Sequence, residues 1–361
     1  MSRDFDWSLL TIAVILSLFG IIAIYSATHY AQEPGIDYSS NFFSREANIW
    51  IKQLIWLLLS LMVSILVANF NYHNFWNLAW FLYILSLVLL ILVLIVGDEK
   101  SGAKRWLDFA HVSFQPTELA KISIIFILAK FFTKQMSYHF SHNIYHSYLF
   151  VFLKTIALPV GLVLLPFILI IKQPDLGSAL VLLPILFAIL FCAGVPKRFI
   201  FGIVFIGLAL LPFLWHLLRD YQKVRFLVFL NPDLDPLGAG YTITQSKIAI
   251  GSGQLLGKGW LSGTQNQLNF LPERHTDFIF SIIAEEWGFL GSILILSLYF
   301  LLVWRMIRIS SKINDPFGRF ICIGISVFLS FQILVNIAMA CAMMPVVGLP
   351  LPFISYGGSF L

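Results

Sequence analysis

The chain has 361 residues, of which 59% are hydrophobic and only 11% are charged, and its formal net charge is +5. Soluble domains carry about 25% charged residues, so this composition excludes a soluble globular protein. Its apolar residues come in long runs, which predicts an all-α polytopic membrane protein. In such a protein, positive charge reflects cytoplasmic loops and contact with anionic lipid, so the balance does not indicate a nucleic-acid partner.

Nine apolar windows predict membrane-spanning helices. We interpret the first as a retained span, because it is too long for the core of a signal peptide and no clear cleavage site follows it. Together they predict a single transmembrane domain over residues 1–361. The windows lie near residues 8–27, 50–69, 75–97, 118–133, 151–171, 178–195, 198–217, 278–304 and 317–342.

Basic residues fall in the loops after the fourth, sixth and eighth spans, and the positive-inside rule makes these loops cytoplasmic. The amino terminus is then cytoplasmic, and residues 219–277 form a large extracytoplasmic loop between the seventh and eighth spans. Loops of this length are usually functional or disordered. Within it, the stretch Thr244–Ile250 is compatible with a short helix.

The same loop contains a glycine-rich run, Gly251–Gly259. Such a run can cradle phosphate through main-chain N–H groups. No strand precedes it, which argues against a nucleotide-binding loop. A flexible surface loop is the alternative, and spacing alone does not separate the two.

A short polar run, Glu273-Arg-His-Thr-Asp277, stands directly before the eighth apolar window, and Glu285 and Glu286 follow inside that window. Ionisable residues at membrane depth usually mark a pathway or a reaction site. The alternative is that Thr276 or Asp277 only caps the next helix. A cap does not require Glu273, Arg274 and His275 as well, so we favour a functional site.

Two further stretches on the predicted outer side carry charge. Lys104 and Arg105 precede a helix start in which Glu118 and Lys121, three residues apart, share one face and can pair. Asp175 lies in a tight turn over residues 172–177. The alternatives are a stabilising intrahelical pair and a plain turn.

Three histidines, His139, His142 and His146, have a spacing that fits one helix face. No Cys or carboxylate accompanies them, and a metal site needs a full ligand set, so we predict a polar interfacial segment there. Cys192, Cys322 and Cys341 lie in apolar runs, which favours small core residues over a disulfide framework.

Several of these stretches together resemble the SEDS family of bacterial envelope proteins, named for shape, elongation, division and sporulation. The resemblance covers nearly the whole chain. The stretch 260–275 favours the elongation branch, because the division branch usually has Ala where Arg274 stands. Family members continue past the Ser-Tyr-Gly-Gly motif into a tenth span, which we expect to follow Leu361. The matching stretches are residues 102–106, 115–121, 173–177, 257–259, 271–280 and 349–358.

The resemblance implies a peptidoglycan glycosyltransferase that polymerises lipid II into β-1,4-linked strands outside the bacterial cytoplasmic membrane during cell elongation. Asp277 then serves as the general base. Cationic side chains stabilise the charge that develops on the pyrophosphate. The expected substrate-binding residues are Lys104, Arg105, Glu118, Lys121, Asp175, Arg225, Lys258 and Arg274.

Cofactors and partners follow from the same resemblance. Pyrophosphate is already a good leaving group, so one carboxylate together with cationic side chains or with a divalent cation (Mg or Mn) is expected to suffice. The family implies a class B penicillin-binding protein, which supplies the transpeptidase, together with other elongation-complex membrane proteins and membrane lipid.

Two other functions fit the composition. A lipid II flippase would need polar groups along the whole membrane crossing, whereas the strongest clusters here gather on the predicted outer side. A scaffold that only recruits a cell-wall synthase would not require so many ionisable residues. A division-specific polymerase of the same family is a further alternative, which differs from the favoured one only in the branch of the family to which it belongs.

Overall fold

The computed structural model describes residues 6–28, 49–100, 103–109, 112–141, 153–268 and 270–358, and helices dominate these residues. A π-helical turn, Leu153–Ala157, leads into α5, and a 3-10 turn, Pro232–Leu234, separates α8 from α9. The helices are α1 (Trp7–Thr28), α2 (Ile49–Asn69), α3 (Asn74–Val96), α4 (Pro116–Ser141), α5 (Leu158–Lys172), α6 (Leu176–Cys192), α7 (Lys197–Leu217), α8 (Asp220–Leu230), α9 (Ala239–Ser252), α10 (Thr264–Gln267), α11 (Ile279–Lys312) and α12 (Pro316–Ala340).

Each predicted span coincides with one helix, namely α1 to α7, α11 and α12. By length and composition, six helical segments of the described chain can cross a membrane. Many large apolar side chains on them are exposed, as expected of surfaces that face lipid. The remaining spans, including the tenth expected after Leu361, stay predictions.

A small antiparallel sheet, which the sequence reading did not predict, connects α3 to α4. Its strands are β1 (Asp98–Lys100), β2 (Ala103–Phe109) and β3 (Val112–Phe114), in the order β1-β2-β3. Strands this short leave only a weak alternating pattern in the sequence. The strand β2 contains Lys104 and Arg105, two of the predicted substrate-binding residues.

The described residues form two compact units, each built from separate stretches of the chain. The first unit contains Met1–Phe70, Asp220–Trp304 and Gln332–Leu361, and the second contains Asn71–Arg219 and Arg305–Phe331. All of the predicted outer loop except its first residue therefore belongs to the first unit. The prediction of one transmembrane domain stays a prediction.

The predicted outer loop is mostly helical. It contains α8, α9 and α10, and the short helix predicted over Thr244–Ile250 is confirmed within α9. A turn precedes α9, where the Asp235 carboxylate accepts hydrogen bonds from the main-chain N–H groups of Gly238 (3.0 Å) and Ala239 (2.8 Å). Asp235 thus satisfies donors that the start of the helix leaves free.

Helix α11 is interrupted at Gly288, where φ is 64° and ψ is −158°. Such a break leaves main-chain groups without helical partners, and in a membrane interior each must be satisfied within the protein. The glycine-rich run supplies the partners. The N–H groups of Lys258 and Gly259 donate to the carbonyls of Glu285 and Glu286, both at 3.0 Å.

The same contact continues on the other side of the break. There, the N–H of Phe289 donates to the Gln254 carbonyl at 2.9 Å. Gly257 lies so close to the helix that an added Cβ would be 2.1 Å from the Glu286 carbonyl oxygen. Both interpretations of the glycine-rich run were therefore wrong. It is neither a phosphate cradle nor a free surface loop, because it is bonded to the interrupted helix.

We expect Gly253→Ala to destabilise the protein and Gly251→Ala to leave it unchanged or slightly more stable. An added Cβ at Gly253 would be 1.9 Å from the main-chain oxygen of Ala284, whereas nothing lies within 4 Å of the corresponding position at Gly251. Overpacking costs about 1–3 kcal/mol. Replacing Gly within a helix gains about 0.5–1 kcal/mol.

Thermal unfolding of the two purified variants in detergent measures the difference, with the unmodified protein as reference. Equal unfolding temperatures for the Gly251 and Gly253 variants would contradict the close contact between the glycine-rich run and α11.

Candidate active site

The polar run that precedes α11 folds into a tight turn around the carbonyl of Glu273. This oxygen accepts hydrogen bonds from the N–H groups of Thr276 (3.2 Å), Asp277 (3.1 Å) and Phe278 (3.3 Å). Glu273 itself has a φ of +48°, an uncommon value for a residue other than glycine. The turn places Asp277, which is half-buried, two residues before α11 begins.

The carbonyls of residues 275–277 are held by groups from outside the turn. The N–H of Tyr356 donates to the first at 2.9 Å, the hydroxyl of Ser355 to the second at 2.6 Å, and the side-chain amide of Asn336 to the third at 3.0 Å. Two of these donors lie in an irregular segment after α12, residues 341–358, which we call the strap. The strap and α12 together therefore fix the main chain of residues 275–277.

The strap is itself anchored at several points. Gln53 of α2, which is 1% exposed, donates to the Ser355 carbonyl (3.2 Å) and accepts from the N–H of Gly357 (3.1 Å). The hydroxyl of Tyr299 in α11 donates to the Pro352 carbonyl at 2.5 Å. These contacts hold the strap's irregular main chain in one conformation, because buried polar groups of this kind are costly to leave unpaired.

The carboxylate of Asp277 lies beside Gly348 of the strap. Gly348 has a φ of +70°, and an added Cβ there would be 3.4 Å from Oδ2 of Asp277. Because residue 348 is a glycine, it has no side chain that would cover this side of the Asp277 carboxylate. A half-buried carboxylate on a fixed main chain is suited to accept a proton from a bound hydroxyl group.

Three basic residues of the first unit, all predicted to bind substrate, each contact protein groups. Arg225 donates from Nη1 to the carbonyl of Val346 in the strap at 3.2 Å. Lys258 forms an ion pair with Glu285 at 2.8 Å. Arg274 is 4% exposed and donates from Nη1 to the Asn266 carbonyl at 3.0 Å. Their substrate-binding role stays a prediction, and the contacts described here are structural ones.

The two glutamates inside α11 are accounted for by contacts with neighbouring segments. The Oε1 atom of Glu285 accepts from Lys258, from the Thr264 hydroxyl (3.2 Å) and from the Gln265 N–H (3.1 Å). Through them, α11 holds the short helix α10. A charge in an apolar helix is stabilised when it is paired and hydrogen-bonded in this way.

Glu286 contacts α1. It accepts a hydrogen bond from the hydroxyl of Ser26, and the side-chain amide of Asn266 donates to the Ser26 carbonyl at 2.7 Å. The sequence singled out both glutamates, yet their partners were missed. Ser26 and Asn266 are ordinary polar residues, and only the fold brings them next to α11.

The second unit contains the other predicted site residues. Glu118 and Lys121 form the predicted ion pair, with Oε1 and Nζ 2.7 Å apart and the lysine side chain fully buried. Asp175 accepts hydrogen bonds from Gln115 Nε2 and Ser178 N, both at 3.2 Å. Gln115 lies at the start of α4, so Asp175 is held next to the helix that carries the pair.

Arg105 extends the same cluster. It donates from Nη2 to the carbonyl of Pro174 at 2.5 Å, next to Asp175. The structure therefore gathers Arg105, Glu118, Lys121 and Asp175 within one unit. The side chains of Lys104 and His139, and all of His142 and His146, lie outside the described part of the protein. In that described part, no group of three or more His, Cys, Asp or Glu side chains could hold a metal ion.

The family model FTSW_RODA_SPOVE, described as cell cycle protein, matches residues 6–361. The chain therefore belongs to the family of FtsW, RodA and SpoVE, a family of multi-pass membrane proteins. This is the SEDS family, so the resemblance seen in the sequence is confirmed. The helical fold class is confirmed with it.

Individual proteins to which this chain is similar give the extent of the similarity. The peptidoglycan glycosyltransferase MrdB of Escherichia coli strain K12 is 39% identical over 358 residues, which cover 99% of this chain and 89% of that protein. The rod shape determining protein RodA of Thermus thermophilus, known from a crystal structure, is 31% identical in sequence to this chain. The two structures match with a TM-score of 0.68 over 99% of this chain and 92% of that one.

A further solved structure concerns the coordination of polymerization and crosslinking by a peptidoglycan synthase complex. Its matching chain is 32% identical to this one, with a TM-score of 0.78, over 100% of this chain and 94% of that one. These similarities cover residues of both units.

We expect Lys121→Ala to impair folding or activity more than the double change Glu118→Gln with Lys121→Met. The single change leaves the buried Glu118 charge uncompensated, which costs about 3–5 kcal/mol, whereas the double change removes both charges. The measurements are the yield of folded protein and its unfolding temperature. Equal effects of the single and double changes would argue against a buried pair.

The pair formed by Asp220 and Lys223 offers a matched control. These residues also stand three apart, but their charged atoms are 3.7 Å apart and the aspartate is fully exposed. Exposed ion pairs contribute little to stability. Lys223→Ala is therefore expected to leave the unfolding temperature unchanged.

Proposed function

We propose that this chain is a peptidoglycan glycosyltransferase that polymerises lipid II into β-1,4-linked glycan strands, with Asp277 as its general base. Its relatives with full-length similarity support the reaction, because MrdB is named for it. One structural observation supports Asp277 as the base. The main chain of Asp277 is held through three consecutive carbonyls, while its half-buried carboxylate lies beside a residue without a side chain.

The reaction that fits this geometry is a single displacement. Asp277 takes the proton from the 4-hydroxyl of the acceptor sugar while that oxygen attacks the anomeric carbon of the donor. The bond from the anomeric carbon to the pyrophosphate breaks, and undecaprenyl pyrophosphate leaves with the electron pair. Attack from the face opposite the leaving group converts the α-linked donor into a β-linked product.

Cations that are not already neutralised are best suited to stabilise the pyrophosphate. Lys121 and Lys258 each form an ion pair with a glutamate, so their net contribution to an anionic ligand is reduced. Within the described residues, neither Arg105 nor Arg225 is paired with a carboxylate. We therefore propose that these arginines carry more of the charge that stabilises the pyrophosphate, while the predicted role of Lys104 stays a prediction.

We propose a different role for the remaining residues that the sequence predicts to bind substrate. Arg274 and Lys258 hold α10, and through it the segment that leads to Asp277. In this proposal they act by shaping the loop. Glu118, Lys121 and Asp175 form the polar cluster of the second unit and orient groups near Arg105.

We further propose that the active site faces outward from the bacterial cytoplasmic membrane during cell elongation. One feature of the sequence supports this. The positive-inside rule makes the basic loops after the fourth, sixth and eighth spans cytoplasmic, which predicts that residues 219–277 lie on the other side of the membrane. We propose a class B penicillin-binding protein as the partner, because the similar chain comes from a complex in which polymerization and crosslinking are coordinated.

We expect Asp277→Asn to give a protein that inserts, purifies and binds lipid II but makes no glycan. Asn keeps the shape and hydrogen-bonding capacity of Asp but cannot act as the base. If Asp277 only capped α11, Asn would replace it well, because the two residues cap about equally. A gel assay of lipid II polymerisation by the purified variant, with its penicillin-binding partner present, tests this.

Asp235→Asn provides the matched control. Asp235 lies in the same unit and accepts hydrogen bonds at the start of α9, so it is a cap by direct observation. Normal glycan chains are expected from this variant. Near-normal glycan from the Asp277 variant as well would return Asp277 to the role of a cap and assign the base to another group.

A further inference from the structure

Asn336, near the end of α12, is fully buried and connects the site to the strap. Its side-chain amide nitrogen donates to the carbonyl of Asp277 at 3.0 Å and to the carbonyl of Leu349 at 2.7 Å. We propose that Asn336 is a positioning residue that fixes the separation between the Asp277 carboxylate and the strap at Gly348. This inference rests on the proposed role of Asp277 as the base.

The chemistry of the amide group makes it suitable for this role. A side-chain NH₂ has two hydrogens, and both are directed to main-chain oxygens here. One oxygen belongs to the residue that carries the carboxylate. The other belongs to Leu349, directly after the glycine that the carboxylate faces. A single planar group therefore determines how far apart these two parts of the main chain lie.

Few other side chains can make this connection. Asp has the same shape but no hydrogens to donate when it is ionised, and Leu has the same size but no polar atoms. Ser has one hydrogen and can hold only one of the two carbonyls. Substitution therefore leaves at least one buried carbonyl unpaired and frees the strap to move relative to Asp277.

Such a movement would act on the chemical step. The oxygen of a general base must lie within about 2.6–3.2 Å of the atom whose proton it removes. A misplacement of about 1 Å can reduce a rate about 100-fold. Asn336 is fully buried, and the hydrogen bonds that it donates go to main-chain carbonyls, so its loss is expected to lower kcat while KM for lipid II changes little.

Gln332 is a matched control in the same helix, one turn before Asn336. It is 1% exposed, and within the described residues its amide nitrogen has no hydrogen-bond partner. Replacing it with Met removes a buried amide of similar size from α12 without removing a bond to the strap. Any general sensitivity of α12 to the loss of a buried amide will appear in this variant.

The experiment compares Asn336→Leu, Asn336→Ser and Gln332→Met in the full chain. Initial rates of lipid II polymerisation give kcat and KM, and thermal unfolding gives the folded fraction. We expect kcat of the Leu variant to fall about 10- to 100-fold with KM nearly unchanged. We expect the Ser variant to lie between the Leu variant and the unmodified protein, and Gln332→Met to match the unmodified protein.

Comparing Asp277→Asn with Asn336→Leu separates this inference from the proposed function. If Asp277→Asn abolishes polymerisation while Asn336→Leu retains full kcat, the positioning role is wrong and the base remains. If Asp277→Asn is active, Asp277 is not the base, and the role on which this inference rests fails.

Two other outcomes would also overturn the positioning role. One is a loss of activity in Asn336→Leu that is confined to KM. The other is a loss that only follows the folded fraction, to the same extent in Gln332→Met. If Asn336→Leu does not fold, Asn336→Ser still decides the question, because an unchanged kcat in folded Ser protein contradicts the need for both bonds.

Discussion

The need to pair main-chain polar groups away from water governs the region around Asp277. The carbonyls of residues 275–277 lie where a tight turn passes into a helix, and an unpaired group there would cost several kcal/mol in an apolar interior. Ser355, Tyr356 and Asn336 supply the donors. The irregular strap thus has a physical reason to exist: it completes hydrogen bonding that the turn cannot complete by itself.

The same requirement explains the glycine-rich run. The break at Gly288 leaves main-chain groups of α11 to be paired, and the run must approach α11 closely to pair with them. Gly253 and Gly257 permit that approach, because a Cβ at either position would clash with the main chain of α11. The run thus complements the break within α11, and the strap complements the turn before it.

Much of the fold followed from apolar windows, because membrane helices leave long and strong patterns. The Glu118–Lys121 pair was also predictable, since both residues lie on one face of one helix. The partners of Glu285 and the hydrogen bond that Ser355 donates were not predictable. Those contacts join residues far apart in the chain and involve main-chain groups that no side-chain pattern reveals. For the same reason, Lys258 was interpreted as a substrate cation before its ion pair was known.

The anchoring of the strap has a consequence for biosynthesis. Gln53 emerges from the ribosome early, whereas its partners Ser355 and Gly357 are made about 300 residues later. A nascent chain in which residues 346–357 are not yet synthesised lacks the Ser355 hydroxyl and the Tyr356 N–H that donate to the carbonyls of Thr276 and His275. The acidic residue at the site is therefore set in place only at a late stage of synthesis, so an incompletely translated membrane intermediate would be inactive.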